Sequence, residues 1–519
     1  MYGNLRHQDI IMHPFQRHAS CSALALFVAS GPALADLTAP QVWDGMESAL
    51  QGFGYAVTAT ETPTGNGLGL TDVVMRFEAP EDNATVEVRI DSIDLVETGD
   101  GSVSMTFPAS MPITIDAAPE GEDTVKMVLD YTNSGLELLV SGTPGNMTYT
   151  YSADKLSMAL SEFAINGAPV SREEARFDLV LDAVAGSTVT ATTDGTDITQ
   201  TIEAAAVRYD LAFNDPDSDD AALVSGSMAT LFLSSATTLP EGFDPNDPKA
   251  LSAGGFSAEG TMGYSDGEMQ FAVTEPSGTT SGTTQTGTVR FEFEMDNTAL
   301  RYDVASTDQA FALSGPDMPL PVDVTMAESA FRITAPIAKA EEPQDMALGL
   351  TLRGFEMSDL LWNVFDPGAA LPRDPATIAL DLTGQVTPFF NLFDPEQMAM
   401  LDATGGTPGE LNALSLNNLT VEAAGAKLAG SGSFTFDNDD LQTFGGVPRP
   451  NGEVNLTLDG ANTLIDKLIA MGLLTSEDAM GARMMMSMFA VPGDGPDSLK
   501  STLTINDQGH VLANGMRIQ

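Results

Sequence analysis

Cysteine and histidine supply most nucleophiles, general bases and zinc ligands, and this 519-residue chain has only one cysteine and four histidines. Cys21, His7, His13 and His18 lie in the first 36 residues, which contain a segment that we predict to be a cleaved leader. Only His510 then remains. The mature chain therefore excludes disulfides, thiolate nucleophiles, Cys/His zinc sites and any site that needs two histidines.

Carboxylates can carry out hydrolysis without other groups, because glycosidases and some proteases need only a pair of them. The chain has 73 acidic residues, so adjacent pairs such as Asp219-Asp220 and Asp439-Asp440 are expected by chance. The two tryptophans, Trp43 and Trp362, offer little flat surface for a sugar. No nucleophile-elbow, phosphate-loop or dinucleotide motif occurs. We predict no catalytic residues, no cofactor and no metal site, and keep a carboxylate-based hydrolase as the least favoured alternative.

The charge balance excludes one class of partner. The chain has 22 basic and 73 acidic residues, a formal net charge of −51. Lysines and arginines form no cluster in the sequence. Binding to nucleic acid or to anionic lipid head groups needs patches of cations. We therefore predict no nucleic-acid partner, and we interpret the acidity as a solvated surface.

The N-terminal segment has the pattern of a signal peptide. An apolar stretch at 22–29 is followed by Ala33 and Ala35, which form a small-x-small cleavage site. The stretch is much shorter than the ~20 residues that cross a bilayer, and no later segment approaches that length. We predict a signal peptide at 1–35, with Met12 as an alternative start, and export to the periplasm as a soluble protein. A mature chain without cysteine fits that oxidising compartment.

The rest of the chain is typical of a β protein. Val86–Ile90 and Val289–Met295 alternate apolar and charged residues, as strands with one exposed face do. Turn pairs such as Asn166-Gly167 and Asn451-Gly452 recur between the strands. Strands at short intervals without helices between them favour antiparallel pairing. We predict a mainly β fold, with a long, curved, antiparallel meander.

Few helices are expected. Thr38 and Gln41 resemble a capping box at the start of an N-terminal helix that stops at Gly52. A short helix is predicted over 358–365, and a helix hairpin over 462–490. The domain prediction is a β-rich region at 36–245, an excursion with a flexible linker at 246–287, and a second β-rich region at 288–519 that contains the hairpin. The linker prediction depends on the low-complexity run rich in glycine, serine and threonine at 277–287, which is interpreted as either a long hairpin tip or a hinge.

Methionine is the unusual component, with 26 residues and a cluster in the second helix of the hairpin. Flexible, polarizable side chains suit a surface that adapts to varied apolar shapes. The functional hypothesis is a groove for acyl chains between this hairpin and the sheet. The alternative is an ordinary core in which methionines fill gaps. The candidate lining residues are Trp362, Phe365, Met471, Met484, Met485 and Met488.

Several motifs carry a resemblance to a known family. They are the stretch 361–367 (LWNVFDP), the stretch 371–375 (LPRDP), and the methionine-rich and C-terminal stretches 482–493 and 509–515. With them the chain resembles an exported bacterial family of uncharacterised proteins, domain of unknown function 2125. The resemblance spans the mature chain and is strongest from about 345 onward. It implies no assigned chemistry, so it transfers no catalytic residue.

Within these motifs we predict a structural lock. Arg373 lies between two proline turns, with Asp366 and Asp374 close in sequence, and a guanidinium pairs well with a carboxylate fork. Taken together, the sequence predicts a non-enzymatic carrier for an apolar small molecule or lipid. The alternative partner is an envelope protein, which the chain would dock as an assembly or scaffolding factor.

Overall fold

The computed structural model describes residues 37–519 except 80–82, 120–122, 193–194, 217, 244–247 and 253. These residues form one antiparallel sheet with five α-helices and a 3-10 turn at Pro248–Ser252. The helices are α1 (Ala39–Gly52), α2 (Asp359–Phe365), α3 (Pro395–Thr404), α4 (Ala461–Ala470) and α5 (Ser476–Phe489). The strands are β1 (Ala56–Thr64), β2 (Gly67–Ala79), β3 (Ala84–Glu97), β4 (Val103–Thr106), β5 (Ser110–Ala117), β6 (Val125–Ser134), β7 (Glu137–Thr143), β8 (Asn146–Ile165), β9 (Ala168–Pro169), β10 (Ala175–Ala191), β11 (Gly195–Asn214), β12 (Ala221–Pro240), β13 (Ser257–Glu275), β14 (Gly278–Asp296), β15 (Ala299–Ser314), β16 (Val322–Pro336), β17 (Gln344–Met357), β18 (Ala376–Pro388), β19 (Gly409–Ala423), β20 (Ala426–Asp437), β21 (Arg449–Asp459), β22 (Val491–Pro492), β23 (Ser498–Ile505), β24 (Val511–Ala513) and β25 (Met516–Arg517).

The sheet is a meander over most of its width. From β10 to β21 each strand pairs with the next one along the chain. The first strands are less regular: β3 pairs with both β4 and β5, and β8 pairs with both β6 and β7 before β10. At the other end α4 and α5 are inserted between β21 and its partner β23. The predicted mainly β class with a long antiparallel sheet is confirmed.

The two faces of the sheet differ in polarity because each strand alternates apolar and polar residues. In β21 the apolar side chains of Val454, Leu456 and Leu458 are half-buried, while their neighbours Asn455 and Thr457 are exposed. Residues paired across neighbouring strands share a face, so the alternation in one strand continues into the next. We call the two sides the apolar face and the polar face.

The alternation slips by one residue along a line that crosses the sheet near the middle of its strands. In the strands that this mid-sheet line crosses, the two apolar-face residues that flank it are three positions apart, whereas elsewhere in the strand the spacing is two. Leu70 and Val73 are both fully buried in one core, and Ala204 and Val207 also belong to it. In several strands the residue at this line has a positive φ. These residues are Asp72, Ala183, Thr230, Asp266, Asp308 and Gly354.

Helix α1 covers the apolar face of the first strands. Thr38 and Gln41 form the predicted capping box, in which the Thr38 N–H donates to the Gln41 side chain at 3.1 Å. Val42, Trp43 and Met46 are buried on the strands, in one cluster with residues of β2, β3, β8 and β11. This cluster is the larger of the two cores in the described part of the chain.

The run at 277–287, predicted as a flexible hairpin tip or hinge, is neither a hinge nor a long tip but mostly strand. Apart from residue 277, this run forms the first half of β14, which pairs with β13 on one side and β15 on the other. Threonine is β-branched and favours strands, and pairing on both sides satisfies the backbone of the intervening glycines. The turn before Gly278 is a tight hairpin tip, so the sheet runs through 257–296 without a hinge.

The helix hairpin lies close to its predicted bounds, with α5 capped by the Thr475 hydroxyl, which accepts the Asp478 N–H at 3.1 Å. No helix among the described residues has the length and apolar character needed to cross a membrane. The predicted signal peptide, including Met12 and the cleavage residues Ala33 and Ala35, lies outside the described residues.

Candidate functional site

A single row of apolar residues crosses the sheet from β2 to β23. Each residue of this apolar row is the register partner of the next. Strands lie about 4.8 Å apart, so the row is roughly 80 Å long. Its members are Leu68, Leu95, Met105, Leu138, Tyr151, Gly186, Ile202, Leu233, Met262, Phe291, Val304, Phe331, Leu350, Leu380, Leu419, Gly430 and Leu456, and it ends on β23 at the polar residue Ser501.

The two glycines of the apolar row are sites where a neighbouring side chain fills the space. A Cβ at Gly186 would lie 2.3 Å from the ring of Tyr151, so that ring lies across the glycine. A Cβ at Gly430 would lie 2.5 Å from a methyl of Leu456. Neither glycine therefore interrupts the apolar surface.

The apolar row is covered at one end and open over the rest. Leu68, Leu95 and Leu138 under α1 are each 1–2% exposed. Beyond β11 the row leaves this core, and Met262 is 44% and Phe331 37% exposed. In the described part of the chain no second sheet packs on these strands. The open section is thus an apolar surface without the cover that α1 gives the first strands.

Charged side chains are confined to the opposite face over the same strands. Arg332 and Asp381, for example, pair at 3.2 Å across β16 and β18, one position away from the apolar row. Such exposed ion pairs contribute little to stability, but they keep charge on the polar face. Pairs of this kind on the polar face are Arg176–Asp210, Arg208–Asp182, Arg290–Glu292, Arg301–Glu294, Arg353–Glu328 and Lys427–Glu422.

Comparison with known proteins identifies a family for the strands that carry the open section. A family model described as an uncharacterized protein conserved in bacteria matches residues 243–518, more than half of the chain. The chain belongs to this family, DUF2125. No curated protein and no solved structure matches the chain. The matched region is shorter than the resemblance predicted, because α1 and β1 to β12 lie outside it.

The DUF2125 region begins where a second, small core closes one end of the strands. Phe243 stacks on Phe256 with ring centroids 5.4 Å apart, and Met295 and Ile337 are buried beside them. Phe393, from the segment before α3, packs on the same cluster. The two segments that leave the sheet here thus cover the strand ends and leave the centre of the apolar face open.

At the opposite strand ends, the DUF2125 region contains the predicted lock around Arg373, with different partners. The guanidinium forms an ion pair with Asp359 and donates to the Asn363 side chain and to the backbone carbonyl of Asp366. It also lies 5.8 Å from the ring centroid of Trp362. The predicted pairing with the carboxylates of Asp366 and Asp374 is wrong, because the first turn of α2 places Asp359 within reach of the guanidinium.

Asp366 closes the same loop through its backbone. Asp366 is 1% exposed, and its carboxylate accepts the N–H groups of Ala370 and Leu371, each at 2.9 Å. The Ala370 hydrogen bond, the Leu371 hydrogen bond and nearby Arg373 lower the pKa of this carboxyl from its usual value. The loop is therefore built around an ionised aspartate.

We expect Asp366 to make the stability of this loop depend on pH. A carboxyl whose pKa is lower in the folded chain stabilises fully above its unfolded pKa of about 3.9, and that stabilisation is lost as the pH falls through the folded pKa. Asp366→Asn should therefore melt below the wild type at pH 7, with a gap that narrows below pH 4. Circular dichroism melts from pH 7 to pH 2 measure this. Asp374→Asn, at an exposed neighbouring position, is the control, and an equal gap at every pH would contradict the assignment.

The methionine cluster of the DUF2125 region does not line an enclosed groove. Met484, Met485 and Met488 are 55–64% exposed on α5, together with Met480. They therefore do not fill a core, as the alternative interpretation had it, and they do not form the floor of a groove against the sheet. Met471 ends α4 and is half-buried.

Of the predicted aromatic lining, Trp362 and Phe365 contact each other with ring centroids 5.0 Å apart on α2. Phe365 is 40% exposed, and α2 lies at the strand ends between β17 and β18. The apolar row itself was not predicted from the sequence. Its signal was the alternation within each strand, but the register that joins the strands is not visible in the sequence.

Several carboxylates of the described chain serve turns and caps. Hydroxyl and backbone hydrogen bonds from Ser102 and Thr98 lower the pKa of Asp100 to about 2, and the Thr443 backbone and hydroxyl lower the pKa of Asp440. The described residues contain no group of three His, Cys, Asp or Glu side chains placed to hold a metal ion. The N–H of His510 donates to Asn506 in a turn.

Proposed function

We propose that this chain is an exported, non-enzymatic carrier that binds the acyl chains of lipids along the open section of its apolar face. The observation that supports this most is the apolar row, which continues for many strands after the cover of α1 ends. Monomeric proteins rarely expose contiguous apolar patches larger than a few hundred Å². A surface of this extent is costly in water, and a bound acyl chain would remove that cost.

The energetic scale is sufficient for binding. Each methylene that leaves water contributes about 0.8 kcal/mol. Burying half of a palmitoyl chain on the row would thus contribute about 6 kcal/mol before the cost of association. The chain carries a net charge of −51, so attraction between charges does not recruit an anionic ligand, and the apolar contact has to supply the affinity.

Export is the second part of the proposal, and it rests on the sequence pattern of residues 1–35. A carrier of acyl chains is useful where lipid has to leave one membrane for another, as in the periplasm. Fractionation of cells that produce the full chain should place the protein in the periplasmic extract. N-terminal sequencing of that material should begin at Asp36, and material that retains residues 12–35 would contradict export with cleavage.

Two measurements on purified protein test the carrier. Mass spectrometry of protein isolated from its native envelope should detect co-purified lipid. Diphenylhexatriene, a pure hydrocarbon that fluoresces in apolar surroundings, should bind in the micromolar range, and a fatty acid should displace it. The carrier function would be refuted if the protein carried no co-purified lipid and did not increase the fluorescence of the probe.

A second candidate function is favoured by one observation, the exposed methionines of α5. A patch of exposed, flexible apolar side chains suits docking to a partner protein in the envelope. A photo-crosslinking amino acid at position 484 would then capture one dominant protein in cells, while the same group at exposed Ala482, on the opposite side of the same helix, serves as control. Equal, diffuse labelling from both positions would argue against docking through this helix.

A further inference from the structure

The apolar face carries a group of polar residues at the mid-sheet line in β14 to β16, separate from the row of Thr188, Gln200 and Ser235 on β10 to β12. Thr286, Ser306, Gln309 and Ser329 occupy apolar-face positions there, and Tyr264 of β13 lies in the same row as Ser306 and Ser329. We call these five residues the polar island. All five can donate and accept hydrogen bonds, and none of them is charged.

The strands on either side have apolar residues at the equivalent positions. In β17, which follows the island, these positions are Leu352 and Phe355. In β10 to β12, which precede it, they are Leu181, Val184, Ala204, Val207, Met228 and Leu231. The island is therefore a local feature of three or four strands and does not follow from the mid-sheet line itself.

The contacts within the island hold its groups in fixed places. The Gln309 amide donates to the Ser329 hydroxyl at 2.7 Å, across β15 and β16. Ser306 is the register partner of Ser329 and is 9% exposed. The Tyr264 ring lies over Gly267 of its own strand, since a Cβ at Gly267 would lie 2.6 Å from that ring.

The surroundings select against a charged ligand group. By register, the apolar-face positions of β13 to β16 contain no aspartate, lysine or arginine, and their one glutamate, Glu275, lies at the end of β13 away from the mid-sheet line. A phosphate placed there would lose water without gaining a cation, which is costly. Hydroxyl and ester groups, in contrast, find both donors and acceptors in serine, threonine, tyrosine and glutamine side chains.

We propose that the polar island binds the ester and hydroxyl groups of a neutral lipid, such as a diacylglycerol, whose acyl chains lie along the apolar rows on either side. This inference rests on the proposed carrier function and adds the class of its ligand. An uncharged glycerol ester carries its polar groups between apolar chains, and the island likewise lies between apolar rows. The carrier would thereby favour neutral lipids over anionic phospholipids.

The test uses displacement of diphenylhexatriene from the full chain by dioctanoylglycerol and by the charged dioctanoylphosphatidate. Dioctanoylglycerol should displace the probe from the wild type at a concentration about tenfold lower than the phosphatidate does. Gln309→Met with Ser329→Ala removes the hydrogen-bonded pair at similar volume. This variant should bind the probe within twofold of the wild type and need about tenfold more dioctanoylglycerol to release it.

The matched control is Thr288→Val with Thr307→Val, which removes a hydrogen-bonded pair at 2.8 Å from the polar face of β14 and β15. It should change neither measurement. Equal displacement by the two lipids, or unchanged displacement in the Gln309/Ser329 variant, would overturn the island as a binding site. If that variant loses probe binding, the single variant Ser329→Ala replaces it in the displacement measurement. A higher dioctanoylglycerol requirement in Ser329→Ala then supports the island, and an unchanged requirement overturns it. A wild type that does not bind the probe would instead refute the carrier function.

Discussion

Replacing Leu350 by aspartate is expected to weaken the binding of diphenylhexatriene by about tenfold or more. Leu350 lies in the open section of the apolar row, between Phe331 and Leu380. A carboxylate there would have to lose water against bound hydrocarbon, and an unpaired polar group that leaves water costs about 1–3 kcal/mol, or roughly five- to 150-fold in affinity. Because Leu350 is only half-buried before binding, the folded chain should tolerate the change.

Thr351→Asp is the matched control for this prediction. Thr351 is the next residue of β17, is also half-buried, and points to the polar face. Both variants add one negative charge to the same strand, so a general electrostatic effect would weaken binding equally in the two. Fluorescence titration should show near wild-type affinity for Thr351→Asp. Equal affinities in the two variants would mean that the hydrocarbon binds elsewhere, and the apolar row would lose its proposed role.

The fold class could be predicted from the sequence because its signal is local. Alternation in segments such as Val289–Met295 and the turn pairs between strands each involve a few neighbouring residues. The capping boxes and caps at Thr38 and Thr475 are equally local, so the bounds of α1 and α5 were predicted within a residue or two. Helix α3 was missed, although Asp394 followed by a proline is a recognisable helix start.

The candidate site could not be predicted in the same way because it is a property of the register. Leu350 and Phe331 become neighbours only when β16 and β17 pair in one register, and a shift of one residue would place Leu350 on the polar face. The slip at the mid-sheet line, where Ala204 and Val207 share a face, also breaks the period of two within a strand. The methionine cluster was predicted from composition to line a groove, but Met484 faces solvent. Composition alone does not reveal which way a helix faces.

The difference between the covered and the open section of the row leads to the prediction with the largest effect on stability. Trp43 of α1 is 1% exposed and belongs to the same cluster as Leu70 and Ile93. Truncating a buried tryptophan to alanine costs about 3–5 kcal/mol, since it removes apolar contact and leaves a cavity. Trp43→Ala should therefore speed hydrogen exchange in α1, β2 and β3 by roughly two to four orders of magnitude, while the exchange rates of β16 to β20 stay unchanged.

Phe53 is the control for Trp43, because it follows α1 directly but is 58% exposed. Phe53→Ala should leave the exchange rates of β2 and β3 within about threefold of the wild type. If α1 is what separates the covered from the open section, its loosening in Trp43→Ala should also expose Leu68 and Leu95, and the number of diphenylhexatriene molecules bound per chain should rise. A variant that loses exchange protection in β2 and β3 without binding more probe would show that the covered strands differ from the open ones in more than their cover.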